Sequence, residues 1–310
     1  VTARRYARIF RALGYRVRIL PSDTPTVEAD IVVALHAKKS AAAAIRFRKA
    51  SRDGRLIVVL TGTDIYRDLP RSRVALRALE AADAIVALQP LALDLLAPSL
   101  RHKARSIVQS VALPASLSHT RRGEARCEIA VLGHLRIEKD PLRAAYAARA
   151  LPRRFSVRVT LAGGVIDARY HERTADEIAC NPRFRYRGEL GTRAALALLA
   201  RSDALVLSSR MEGGANVLGE AIALRVPVLA SRIDGNIGLL GASYPGYYEV
   251  GSTASLRRLL QRFIEDRAFR RALRAHIARL APLVRPIRER TAWAKVLTEL
   301  RALEARSGCR

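Results

Sequence analysis

Short apolar runs alternating with helix-length amphipathic stretches constrain this chain more than any other feature. Runs such as residues 56–60 and 204–207 are long enough for a strand and fall far short of the roughly 20 residues that a membrane span requires. In the first half, strand patterns at 30–35, 56–60, 84–88 and 106–111 alternate with helical periods at 41–50, 74–81 and 91–96. In the second half, strand patterns at 128–132, 158–162, 184–186, 204–207 and 228–230 are separated by helical stretches such as 140–150 and 193–200. Apolar strands separated by helices belong to parallel sheets covered on both faces. The expected fold is α/β, made of two doubly wound, Rossmann-like units.

A length of 310 residues fits two domains at roughly 100–200 residues each, and two such domains imply a cleft. Between 114 and 126 the sequence turns polar, with Pro114, Ser116, Ser118, Thr120 and Gly123, before the alternation restarts. This stretch reads as a linker between an N-terminal domain, 1–118, and a C-terminal domain, 119–310. The second ends in helical periods at 263–283 and 288–305, broken at Pro282 and Pro286. The chain opens on a helical period over 2–13, closed by Gly14 ahead of a strand-like 15–20. A doubly wound unit carries a strand and a phosphate-facing turn before such a helix, so that first strand is expected to be missing from the sequence.

Lysine and arginine number 55 against 28 aspartates and glutamates, a formal net charge of +27. That balance suits nucleic acid, an anionic membrane surface or phosphorylated small molecules. The arginines are spread over helical segments, as in Arg4, Arg8 and Arg11 or Arg257, Arg270 and Arg274, the pattern of solvated faces. Nucleic-acid binding would interleave aromatics with the basic patch, yet 5% of the chain is aromatic and no binding module is recognisable. A basic nucleic-acid-binding protein is therefore the remote alternative, and no specific nucleic-acid partner is expected. Cys127, Cys180 and Cys309 follow neither zinc nor disulfide spacing, and no secretion signal opens the chain, so a cytoplasmic protein without a transmembrane segment is expected.

The most informative segment is Ser208-Ser209-Arg210-Met211-Glu212-Gly213-Gly214-Ala215-Asn216-Val217-Leu218-Gly219-Glu220, which follows a strand pattern and opens a helical one. Gly213 and Gly214 let backbone approach a ligand, the unpaired N–H groups of a first helical turn suit a diphosphate, and Asn216 could cap that turn. Glu212 and Glu220 are acceptor-only groups suited to sugar and ribose hydroxyls. Spaced with seven residues between them, they resemble the E-x7-E motif of retaining glycosyltransferase family 4. That resemblance implies a GT-B fold, with Glu212 on the transferred sugar and Glu220 on the donor ribose. The loop Gly133-His134-Leu135-Arg136-Ile137-Glu138-Lys139-Asp140-Pro141 resembles the same family's G-R-L…K loop, and Lys139 falls on its phosphate-holding lysine. His134 stands where that family has arginine, and Arg136 could restore the contact. A cation here stabilises the leaving nucleoside diphosphate. No D-x-D motif appears, so neither a metal nor a cofactor is expected, the nucleotide sugar being a co-substrate. Arg187-Gly188-Glu189-Leu190 resembles the loop that frames the donor base, which implies a uridine contact at Leu190.

In the first half two strand ends carry polar clusters: His36-Ala37-Lys38-Lys39-Ser40 and Thr61-Gly62-Thr63-Asp64-Ile65-Tyr66-Arg67-Asp68. The first makes a plausible anion site, and the second offers hydroxyls, N–H groups and a carboxylate. Together with Gly133-His134-Leu135-Arg136, the Ser208–Ala221 run and Ser231-Arg232-Ile233-Asp234-Gly235-Asn236, they resemble the selenosugar synthases of selenoneine biosynthesis. This resemblance implies that selenophosphate reacts with a UDP-sugar, UDP-GlcNAc foremost, releasing UDP and phosphate. It also implies that His36, Lys39, Ser40, Thr61, Gly62, Thr63 and Asp64 receive the anionic acceptor, with His36 or Asp64 assisting phosphate hydrolysis. The alternative is a family 4 transferase acting on a hydroxyl of a small molecule or lipid.

Overall fold

In the computed structural model, residues 2–25, 28–51, 53–114, 117 and 126–307 are described. The chain forms two compact units: Val1–Ser110 with Pro286–Arg310, and Val111–Arg285.

The first unit runs α1 (Thr2–Ala12), β1 (Ile31–Leu35), α2 (Ala41–Ala50), β2 (Arg55–Val59), α3 (Arg73–Ala81), β3 (Ala84–Ala87), α4 (Pro98–Arg101) and β4 (Ala104–Ser106). The four strands form a parallel sheet in sequential order. Because side chains alternate across a strand, β2 supplies both cores: Leu56 and Val58 pack on one face with Phe47 and Leu79, while Ile57 and Val59 pack on the other with Tyr6 and Phe10.

The second unit runs β5 (Cys127–Leu132), α5 (Arg143–Arg149), β6 (Val157–Ala162), α6 (Arg169–Cys180), β7 (Phe184–Tyr186), α7 (Thr192–Arg201), β8 (Ala204–Leu207), α8 (Asn216–Ala223), β9 (Val228–Ser231), α9 (Asp234–Leu240), β10 (Tyr247–Tyr248), α10 (Thr253–Glu265) and α11 (Arg267–Leu280). Its sheet is parallel in the order β10-β9-β8-β5-β6-β7. Counted from β5, that is the dinucleotide-fold order in which direction reverses between the first and fourth strands. The crevice beyond the C-terminal ends of β5 and β8 is therefore the ligand position that topology favours.

The last helix, α12 (Pro286–Ser307), belongs to the first unit, not to the second as the boundary 119–310 implied. Its apolar stripe of Trp293, Val296, Leu297 and Leu300 completes the core layer of Tyr6 and Phe10, with the Trp293 ring 4.8 Å from Tyr6 and 5.0 Å from Phe10. The sequence shows this stripe but not which unit it covers. The junction falls at Ser110, ahead of the polar stretch read as a linker; most of that stretch, 115–116 and 118–125, lies outside the described residues.

Three expected elements differ. Residues 15–20 join no strand among the described residues, and β1 is the sheet edge. Residues 91–96 do not form an α-helix: a single 3-10 turn, Pro90–Ala92, runs into turns, Pro98 has no N–H for the Asp94 carbonyl, and Arg101 bonds the carbonyls of Asp94 and Leu96 at 2.7 and 2.9 Å. β4 stops at Ser106 because β3, its ladder partner, ends at Ala87. No helix among the described residues is long and apolar enough to cross a membrane.

Candidate active site

The loop after β5 and the loop after β8 meet at the switch point. Arg210 N–H donates to Glu138 O at 2.8 Å, and the Ser208 hydroxyl lies 3.1 and 2.9 Å from the carbonyl oxygens of Lys139 and Asp140. Asp140 takes the left-handed conformation, with φ of 45°, which turns the chain from Lys139 into Pro141 and α5. Its buried carboxylate accepts from Arg143 at 2.9 Å, and Arg143 continues to Thr253 Oγ1 at 2.6 Å. The loop is thus braced from beneath, and Lys139 is presented over Gly133, whose Cα lacks a side chain where the lysine stem passes.

In that frame the Lys139 ammonium forms a close ion pair with Glu212 Oε1. The Ser209 hydroxyl donates to the same oxygen at 2.5 Å, while Ser209 O accepts from Ser231 Oγ at 2.5 Å. Glu212 is buried, so these partners satisfy its carboxylate in place of water. Gly133, Lys139, Pro141, Ser208 and Ser209 line the crevice. Gly213 is buried and Gly214 half-buried; Asn216 is exposed and Glu220 half-buried one turn on. The N-cap of α8 is Ala215, and Asn216, expected as the cap, is the first helical residue. Burial has its clearest electrostatic effect at Tyr248 beneath these loops, whose phenol is pushed well above its ordinary range.

Gly163, after β6, packs so closely on the first loop that a Cβ there would lie 2.0 Å from Gly133 O. Its N–H donates to Gly188 O at 2.8 Å, which ties in the loop carrying Leu190. His134 stands exposed, its Nδ1 accepting from Gly164 N–H at 3.2 Å. Arg136 instead leans toward Glu138, Nε to Oε2 3.9 Å. The structure thus brings Lys139 and Glu212 into contact and stacks the Gly133, Gly213 and Leu190 loops along one sheet edge. Ser208, Ser209, Asp140, Gly163 and Gly235 were not among the expected site residues. Only the Ser-Ser pair at a strand end gave a visible signal.

The N-terminal cluster is built differently. The Asp64 carboxylate is fully buried and accepts from the N–H groups of Ala37 (3.0 Å), Thr61 (2.9 Å), Gly62 (2.7 Å) and Ile65 (3.1 Å). The N–H groups expected to hold an acceptor at Thr61 and Gly62 therefore face Asp64, and Asp64 itself is the staple of the π-helical turn Asp64–Asp68, a poor position for a general base. Ser40 donates its hydroxyl to Leu35 O at 2.6 Å. His36, at φ of 73°, accepts from Lys39 N–H through Nδ1 (3.3 Å), which leaves Nε2 protonated and donating to Thr63 Oγ1 at 3.0 Å. Burial lowers its pKa against the opposing pull of Asp64, which favours the neutral ring. Lys38 and Lys39 remain exposed beside it.

A family model described as glycosyl transferases group 1 matches residues 119–279. The chain belongs to the group 1 glycosyltransferases. It is a nucleotide-sugar-dependent transferase of the GT-B fold, and the match covers both loops of the crevice. Among solved structures this glycosyltransferase is similar to Anabaena HepE in complex with UDP and glucose, at 17% identity and a TM-score of 0.72, over 95% of this chain and 81% of that one. It is also similar to the sucrose-phosphate synthase of Thermosynechococcus elongatus, 16% identical with a TM-score of 0.71, over 88% and 74%. The trehalose 6-phosphate synthase of Burkholderia multivorans is 12% identical with a TM-score of 0.73, over 90% and 71%. At these identities the likeness concerns the fold. No curated protein matches the chain significantly.

Proposed function

We propose that this glycosyltransferase binds a UDP-sugar in the second unit and transfers the sugar to selenium, using selenophosphate as acceptor. The meeting of Lys139 with Glu212 at the switch point carries the donor half of this reading. Lys139, with Arg136, supplies positive charge to the departing diphosphate, so no metal is required at that step; Gly213 and Gly214 admit the phosphates, Glu212 holds the sugar, and Glu220 and Leu190 hold the uridine. The selenium lone pair forms the bond to the anomeric carbon as the bond to the diphosphate oxygen breaks, and UDP leaves with that electron pair. Water then cleaves the phosphorus–selenium bond, releasing phosphate and the selenosugar. UDP-GlcNAc is the donor that the sequence motifs favour.

The acceptor half rests on those motifs. With Asp64 occupied by backbone N–H groups, the cations Lys38 and Lys39 and the Nε2 of His36 are the groups suited to an anionic acceptor. A second reading follows from the neighbours named as synthases of phosphorylated disaccharides: a hydroxyl acceptor bearing a phosphate would use the same cations.

The test is to incubate the protein with UDP-GlcNAc and selenophosphate under reducing conditions with EDTA and to follow UDP and a selenium-bearing sugar by mass spectrometry. Selenosugar formed with EDTA present and lost in Glu212→Ala is the expected result. UDP release with sugar phosphates but never with selenophosphate would establish the second reading instead.

A further inference from the structure

We infer that Ser209, backed by Ser231 and Asn236, is a positioning residue that holds Glu212 in register when Lys139 turns from it to the donor diphosphate. Resting on the donor-site reading above, this concerns two demands on one carboxylate. Lys139 and Ser209 both contact the same oxygen, Glu212 Oε1. A diphosphate offers the lysine a stronger partner than a single carboxylate, so ligand entry draws the ammonium away. Glu212 would then lose its one cation partner among the described residues just when its lone pairs are needed for the sugar hydroxyls. A side chain tethered at one end only would relax into other rotamers. The Ser209 hydroxyl, which does not follow the lysine, keeps one lone pair engaged.

The tether is itself anchored. Ser209 O accepts from Ser231 Oγ at 2.5 Å, and Asn236 Nδ2 lies 2.9 Å from Ser231 O and 3.3 Å from Ser231 Oγ. Ser209, Ser231 and Asn236 are all essentially excluded from solvent, so the relay has no competing water at its protein end. The α9 N-terminus also closes on the backbone of the glutamate, because a Cβ at Gly235 would lie 2.0 Å from Glu212 O. β8, β9 and α9 thus converge on a single acceptor-only side chain. The adjacent Ser208 braces the backbone of Lys139. One dipeptide therefore serves both members of the ion pair, and only the Ser209 arm survives the lysine's departure.

The experiment compares UDP with UDP-GlcNAc by titration calorimetry, since UDP takes the lysine but has no sugar for Glu212. Ser209→Ala should leave UDP affinity within about twofold and weaken UDP-GlcNAc about tenfold, the low end for a hydrogen bond to a charged group, and Ser209→Thr should restore it. Ser231→Ala should show the same split at smaller amplitude. Equal weakening of both ligands by Ser209→Ala would mean that the loop has simply collapsed and would overturn the positioning role. Glu212→Gln separates the two layers. If it weakens UDP-GlcNAc selectively while Ser209→Ala does not, this inference fails alone; if wild type binds neither ligand, the donor reading fails and takes the inference with it.

Discussion

The two strand-end clusters of this protein come from the same kind of sequence signal and end in opposite arrangements. After β5 and β8, polar residues from separate loops meet side chain to side chain, Lys139 against Glu212, with the hydrogen-bonding framework beneath them supplied by Ser208, Ser209 and Asp140. After β1 and β2, the polar groups close on each other: Asp64 takes the N–H groups of two loops and His36 bridges Lys39 N–H to Thr63. A carboxylate that faces a lysine in a crevice can exchange that partner for a ligand. One that satisfies buried backbone N–H groups cannot, because each would be left unpaired. The first cluster keeps an exchangeable ion pair in a crevice, and the second spends most of its polar groups on holding two loops together.

The sharpest way to break this contrast is to exchange the expected roles. Asp64→Ala should destabilise the first unit by about 3–5 kcal/mol, since it strands several buried N–H groups at once, and should leave UDP affinity unchanged. The sole tryptophan, Trp293, is fully buried in the first unit, so its fluorescence during urea unfolding reports that unit selectively. An unchanged unfolding midpoint together with lost turnover would return Asp64 to a chemical role. Lys139→Met is the converse: turnover should fall by about 10²–10³ with the Trp293 transition in place, the loss typical of removing one transition-state charge partner. Full activity in that variant would remove the lysine from the donor site.

Most strands were legible because a buried parallel strand is apolar throughout: β2, β3, β8 and β9 lie where continuous Leu, Ile, Val and Ala runs place them. Residues 15–20 misled because their alternation is real, with Tyr15 and Val17 turned partly inward, while a strand also needs a neighbour, which no local pattern supplies. Likewise the stripe on α12 announces a buried face, yet its destination beside Tyr6 depends on tertiary packing. At the site, Lys139, Glu212 and the paired glycines were visible as a motif. At Thr61–Asp64 the sequence did not show that the N–H groups of Thr61 and Gly62 turn to the Asp64 carboxylate, an arrangement that also takes in Ala37 from another loop. The Ser208-Ser209 pair was visible at a strand end, but the role of Ser209 was not, because it comes from Ser231 and Asn236, remote in sequence.

A smaller effect tests whether the loops along the β5–β8 edge act as one body. In Gly163→Ala the new methyl meets Gly133 O, backbone rather than a movable side chain, and must push the phosphate-facing loop outward. Overpacking of this kind costs about 1–3 kcal/mol, expressed here as UDP affinity lowered by roughly tenfold with the Trp293 transition unaffected. Undiminished UDP binding would show that the Gly133 loop can shift without consequence for the donor.

The smallest effect concerns His36 and sharpens the account of the first cluster. Burial lowers its pKa below the unfolded value of about 6.5, so between those two values the unfolded chain binds more protons than the native one. Stability from the neutral imidazole is therefore complete above about pH 6.5 and is lost as the pH falls toward the lower, folded value. Asparagine tolerates the left-handed backbone that His36 adopts, so His36→Asn removes the titration with little strain. Unfolding followed by Trp293 at about pH 7.5 and pH 5.5 should show wild type losing more stability in acid than His36→Asn, by up to about 1 kcal/mol. Equal losses would mean that the imidazole titrates alike in both states. A wild type that loses less than the variant would mean that Asp64 and Asp68, 4.0 and 3.8 Å away, hold the protonated ring in place. The cluster would then favour the charged ring in acid, and the contrast with the β5–β8 crevice would narrow to the matter of which groups remain open to a ligand.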